Sequence, residues 1–207
     1  MLAAVLALSA AAWIVAVQQM RGMDMGVATE LGSFQFFLAV WVAMMAAMML
    51  PGALPALVDR ARSDRPALTV PLFAVSYLAV WTLMGLVVYV LYHPHGTAVA
   101  GTLTVAAGLY ELTPLKRACR VRCRQYVHSG SQFGLYCVGS SIGLMLVLLA
   151  TGAMSISWMC VIAVLVVGQK LVPPRASLDV PLALALVGLG IAIVVAPSSI
   201  PGITPAM

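Results

Sequence analysis

Four methionines, Met44, Met45, Met48 and Met49, followed at once by Pro51, sit inside one long apolar run of this 207-residue chain. On a helix, spacings of three and four set Met44 beside Met48, and Met45 beside Met48 and Met49, on neighbouring ridges. Thioethers are soft, uncharged ligands, suited to Cu(I) and poorly suited to Zn(II) or Mg(II). At membrane depth a neutral ligand set avoids the cost of a carboxylate site. The same residues also serve as ordinary fillers of irregular gaps between helices, and Ala43, Ala46 and Ala47 beside them suit close helix packing.

A second group of sulfurs lies between Tyr110 and Arg124, where Cys119 and Cys123 stand four residues apart. A helix puts them on one face. The arginines around them are expected to favour thiolate, the form that binds metal, and Cys137 is a candidate third sulfur. The spacing is not that of a structural zinc site, and a basic helix touching anionic lipid is the competing reading. Glu111, an ionisable group at the end of an apolar run, is a functional candidate by position; its alternative is an interfacial ion pair with Lys116, Arg117 or Lys170. Lys170 itself is expected to snorkel at a helix end. Two short segments add paired donors: Met23 with Met25, and His93 with His95, whose neutral imidazoles bind copper or zinc. Met154, Met159 and Cys160 are further soft side chains near the same predicted face. No phosphate-cradling glycine loop, no HExxH and no paired acids within the apolar runs occur, so no enzyme activity is expected.

The elements that must position these residues are set by composition. Apolar residues make up 63% of the chain and charged ones 8%, against about 25% charged in soluble domains. Seven apolar runs, about 2–19, 34–57, 67–92, 97–113, 134–151, 154–171 and 178–196, approach the roughly 20 residues needed to cross a bilayer. The expected fold is an all-α polytopic bundle forming a single transmembrane domain over 1–207, with lipid as its main partner. Lys and Arg fix its orientation. Arg60, Arg62 and Arg65, then Lys116, Arg117, Arg120, Arg122 and Arg124, then Lys170 and Arg175 fall in three connections on one side, leaving Arg21 opposite. The N-terminus is thus expected inside and the C-terminus outside a bacterial inner membrane. The net charge of +5 is then topology, with no nucleic-acid partner implied. Residues 1–19 also read as a signal segment, although no basic n-region precedes the apolar stretch.

The stretches Ala43 to Pro51 (AMMAAMMLP) and Gly108 to Lys116 (GLYELTPLK), with Cys119 and Cys123, resemble a bacterial family of predicted metal-binding integral membrane proteins. The resemblance runs on through Gly134 to Gly139, Leu144-Met145, Gly152 to Met154 and Trp158-Met159 to Lys170, covering roughly residues 40–172. It implies a membrane fold and a metal role. Departures are specific: the pattern has two cysteines and a Trp where Ser140, Ser141 and Ile142 stand, Glu at Gln169, Gln at Glu111 and Asn at Ser155. Two soft ligands and one carboxylate are therefore missing from the pattern's set. Two functions follow. One is copper handling, with outer Met and His residues collecting Cu(I), the Met44–Met49 group carrying it, and Cys119, Cys123 and Cys137 receiving it; the Met-x-x-x-Met spacing is similar to that of Ctr-type copper transporters. The other is a non-catalytic accessory or scaffold subunit of a larger membrane complex, such as a membrane metalloenzyme. A proton- or ion-coupled transporter relying on Glu111 is a third reading.

Overall fold

An apolar run shielded from water can satisfy its backbone N–H and C=O groups internally only as a helix, and helices are what these runs form. The computed structural model describes residues 2–21, 31–63, 65–124, 129–153, 155–172, 176–200 and 203. The described residues are all-α, without a strand. In chain order the helices are α1 (Leu2–Met20), α2 (Phe34–Ala61), α3 (Pro66–Leu91), α4 (Thr97–Glu111), α5 (Pro114–Arg124), α6 (Gly130–Gly152), α7 (Ile156–Leu171) and α8 (Ala176–Val195), with a short 3-10 turn at Pro197–Ser199. Three of them, α2, α3 and α6, are long and apolar enough to cross a membrane. Helices α1, α7 and α8 carry shorter apolar stretches, and α4, of 15 residues, coincides with the expected run 97–113.

Local chemistry explains where boundaries depart from the apolar pattern. Helix α6 begins a turn before its apolar stretch because Ser129 caps it, accepting the Gln132 N–H at 3.2 Å. Pro114 opens α5, where its fixed φ suits a first helical position, so the basic connection 114–130 is largely a helix and not a loop. Helix α2 continues through Pro51 and Pro55. Pro51 has no N–H for the carbonyl of Ala47. The Ser9 hydroxyl of α1 donates to that carbonyl at 2.9 Å, so a neighbouring helix supplies what the proline withholds.

Helices α2 and α6 form the centre. Helix α2 packs against α1, α3 and α7, and α6 against α3, α4, α5 and α7, while α4 lies along α8. Small residues permit that last approach: a Cβ at Gly190 would come within 2.7 Å of the Gly101 carbonyl oxygen. Met44, Met45, Met48 and Met49 are all buried in the core that α2 nucleates. Helix α3 is peripheral and exposes Leu68, Leu72, Val75, Leu83, Val87 and Val90.

Candidate metal centre

The two faces of α5 organise the site. Lys116, Arg120 and Arg124 repeat every four residues along one ridge, and Cys119 and Cys123 share the adjacent ridge. The cysteine ridge lies against α6. Cys119 Sγ packs on Gly139, where a Cβ would sit 2.6 Å from it, and Cys123 Sγ lies 4.0 Å from the Phe133 carbonyl. Burial first, and then the neighbouring Cys137, push the Cys123 thiol up to about 12. The expected thiolate is thus not formed at neutral pH: desolvation of the charged sulfur outweighs the Lys170 ammonium that opposes it.

Cys137, fully buried on α6, is the meeting point of four helices. Lys170 of α7 donates to its Sγ at 2.8 Å, and the Tyr77 hydroxyl of α3 lies 3.1 Å away. Met49 of α2 completes the group. Its Sδ is 3.8 Å from Lys170 Nζ, and its carbonyl accepts from Tyr77 at 3.4 Å. Lys170 therefore turns inward and does not snorkel, and among the described residues it forms no ion pair with a carboxylate. Met44, Met45 and Met48 are core residues of the same helix. The three cysteines do not converge: no group of three His, Cys, Asp or Glu side chains able to hold a metal occurs among the described residues. A soft-metal site with three or more ligands among the described residues would draw on methionine as well.

The basic ridge of α5 works on α7 and α8. Lys116, buried, pairs with buried Glu111 and donates to Gln169 Oε1 at 3.1 Å, while Gln169 Nε2 donates to Glu111 Oε2 at 2.7 Å. Glu111 Oε1 faces Gly143 and has no hydrogen-bond partner among the described residues. Desolvation, which opposes the charged ammonium, holds Lys116 below the usual lysine range despite Glu111. Arg120 pairs with buried Asp179 and donates to the carbonyls of Gln169 at 2.8 Å and Val172 at 3.3 Å. Arg124 donates to those of Lys170 at 3.0 Å and Leu171 at 2.6 Å. Two arginines thereby satisfy the orphan carbonyls ending α7. Asp179, Tyr77 and Gly52 were not singled out by spacing; the four-residue repeat Lys116-Arg120-Arg124 is the signal that points to a second working face on α5.

A cleft of about 590 Å³ opens beside this group, lined in part by Arg60, Cys123, Arg124, Ser140, Gln169 and Lys170. The histidine pair is elsewhere. His93 Nδ1 faces the Leu91 carbonyl at 3.1 Å. Both ring nitrogens of His95 face carbonyl oxygens, of His93 at 3.1 Å and of Ala150 at 3.2 Å. The Ala150 contact ties the α3–α4 connection to the end of α6. Met159 is buried and Cys160 exposed, while Met23, Met25 and Met154 lie outside the described residues.

Residues 38–193, about three quarters of the chain, match the PpoB2 family, described as copper chaperone. The chain belongs to the PpoB2 copper chaperone family. Copper handling in general is the function this membership supports. The matched range contains Met44 to Met49, the histidine pair, Glu111, Lys116, the three cysteines and Lys170; Met23 and Met25 precede it. Neither a curated protein nor a solved structure matches the chain.

Proposed function

We propose that the chain is a multi-pass inner-membrane protein that binds and hands over Cu(I) through methionine and cysteine sulfurs, without catalysing a reaction. In this reading α1 to α4 and α6 to α8 cross the bilayer, with α5 tucked beneath them at the cytoplasmic face. Lipid covers the exposed apolar side of α3, which needs no protein partner. The observation that carries the reading is that buried Cys137 and Met49 turn their sulfurs to one point, the Lys170 ammonium, near Cys123 and an open cleft, in a member of a copper chaperone family. A thiol and a thioether are soft donors that select Cu(I) over harder divalent ions. Cys123 stands next along the cleft wall, where a second thiol would let the ion move between sulfurs by ligand exchange. Each thiol gives up its proton as it binds. The Met44, Met45 and Met48 side chains extend the soft surface along α2.

The test is metal content of the detergent-purified protein after anaerobic loading with Cu(I). On the order of one copper per chain is expected, falling at least about tenfold in affinity when Cys137→Ser and Met49→Leu are combined. Less than roughly 0.1 copper per chain, unchanged in that variant and in Met45→Leu with Met48→Leu, sinks the reading.

A further inference from the structure

Lys170 is one of only two lysines in the chain, and its ammonium is in an unusual place. It is bound by Cys137 Sγ at 2.8 Å and faces Met49 Sδ at 3.8 Å. Ammonium is a compact, strongly hydrated cation, and sulfur is a weak acceptor for it. Harder partners line the same cleft, among them the Asp59 carboxylate and the Ser63 hydroxyl. The two sulfurs are instead the donor set of a soft monovalent cation. Gly52 permits the arrangement: a Cβ at that position would collide with Lys170 Cδ. The lysine stem thus runs through a notch that only glycine leaves open, and its contact there involves the flexible part of the side chain.

We propose that Lys170 is a tethered stand-in for the cargo, holding Cys137 and Met49 together until a soft monovalent ion takes both sulfurs and the lysine withdraws into the cleft. The proposal rests on the copper-handling reading and adds to it a means of release. The ammonium and the ion compete for the same two sulfurs, so metal entry and lysine exit are a single event, and lysine return, with a proton back on Cys137, drives the metal out. The exchange balances without a redox step. One monovalent ion enters, the ammonium leaves the sulfurs but stays on the chain, and the Cys137 thiol releases its proton to the cleft.

Amine labelling of the wild-type protein in detergent, with and without one equivalent of Ag(I), tests the exchange. Peptide mass spectrometry reads Lys170 directly, with buried Lys116 as the internal reference. Several-fold greater labelling of Lys170 on Ag(I) binding, with Lys116 unchanged, is expected. Bound Ag(I) with Lys170 labelling unchanged or lower overturns the proposal while leaving copper handling intact. Failure of the wild type to bind either Ag(I) or Cu(I) removes the reading beneath it as well. Two variants approach the same point from opposite helices: Lys170→Gln removes the ammonium, and Gly52→Ala evicts it. Both should hold Cu(I) about tenfold more tightly in competition with a chromogenic chelator; affinity equal to or below wild type in both overturns the proposal.

Discussion

Three arginines flank Cys123 within four residues, yet its thiol is pushed up to about 12. Folding explains the reversal by redirecting the guanidinium groups. Arg120 is engaged by Asp179, Arg124 by the carbonyls ending α7, and Arg122 lies over the Tyr136 ring, 5.6 Å from its centroid. What acts at the sulfur is desolvation and the neighbouring Cys137, which outweigh the opposing Lys170 ammonium and Ser140 hydroxyl. The unfolded thiol loses its proton near the ordinary value of about 8.5. Stability from this group is therefore fully present below that pH and drains away as pH rises through the interval up to the folded value. Alkylation of the folded protein should reflect the same shift: the Cys123 rate with iodoacetamide should climb about tenfold per pH unit across pH 7–10 without levelling. Peptide-resolved rates that flatten near pH 9 would show that Cys123 is an ordinary thiol and that its burial is transient.

Helix α5 joins α4, α7 and α8 through charge, and one of its ties can be rewired. The resemblance drawn from the sequence implies a carboxylate at position 169 and an amide at 111, whereas here Glu111 and Gln169 stand the other way round. Counted along the sequence, this looks like a missing carboxylate. In space the two side chains touch each other and share Lys116, so the exchange keeps one negative charge against one positive. Glu111→Gln alone should leave Lys116 buried without a counter-charge and cost about 3–5 kcal/mol, on the order of 10 °C in Tm for a chain this size. Adding Gln169→Glu should restore most of that loss; a double variant no more stable than Glu111→Gln would break the argument. This is also where legibility in the sequence stops. Apolar run lengths placed seven helices to within a turn or so, because lipid-like burial is written into every residue of a run. The partner of Lys116 was among the three expected ion-pair combinations, since Glu111 is only five residues away. The inward turn of Lys170 and the Arg120–Asp179 pair were not legible, because they join residues separated by 33 and 59 positions and depend on which helices become neighbours.

At the scale of the whole molecule, charge and donor geometry divide the bundle into two ends. Arg60, Arg120, Arg124 and Lys170 all line the one cleft, so the α2–α3 connection, α5 and the end of α7 meet at the same end. The α3–α4 connection, with His93 and His95, contacts the far end of α6 at Ala150. In the proposed orientation this basic end is cytoplasmic, the reducing side, where Cys119, Cys123 and Cys137 would stay thiols. The cleft would then receive or release copper on the cytoplasmic face, and the histidine end would face outward. Paired reporters fused after Ser63, after Arg124, after Pro94 and at the C-terminus settle the point: a fluorescent protein that folds only in the cytoplasm should light the first two, and a phosphatase active only outside should report the last two. A cytoplasmic C-terminus would mean an even number of crossings. In that case α1 or α8 lies on the membrane instead of through it, and the direction in which the cleft passes its metal would have to be reversed or re-established from the position of Cys123 alone.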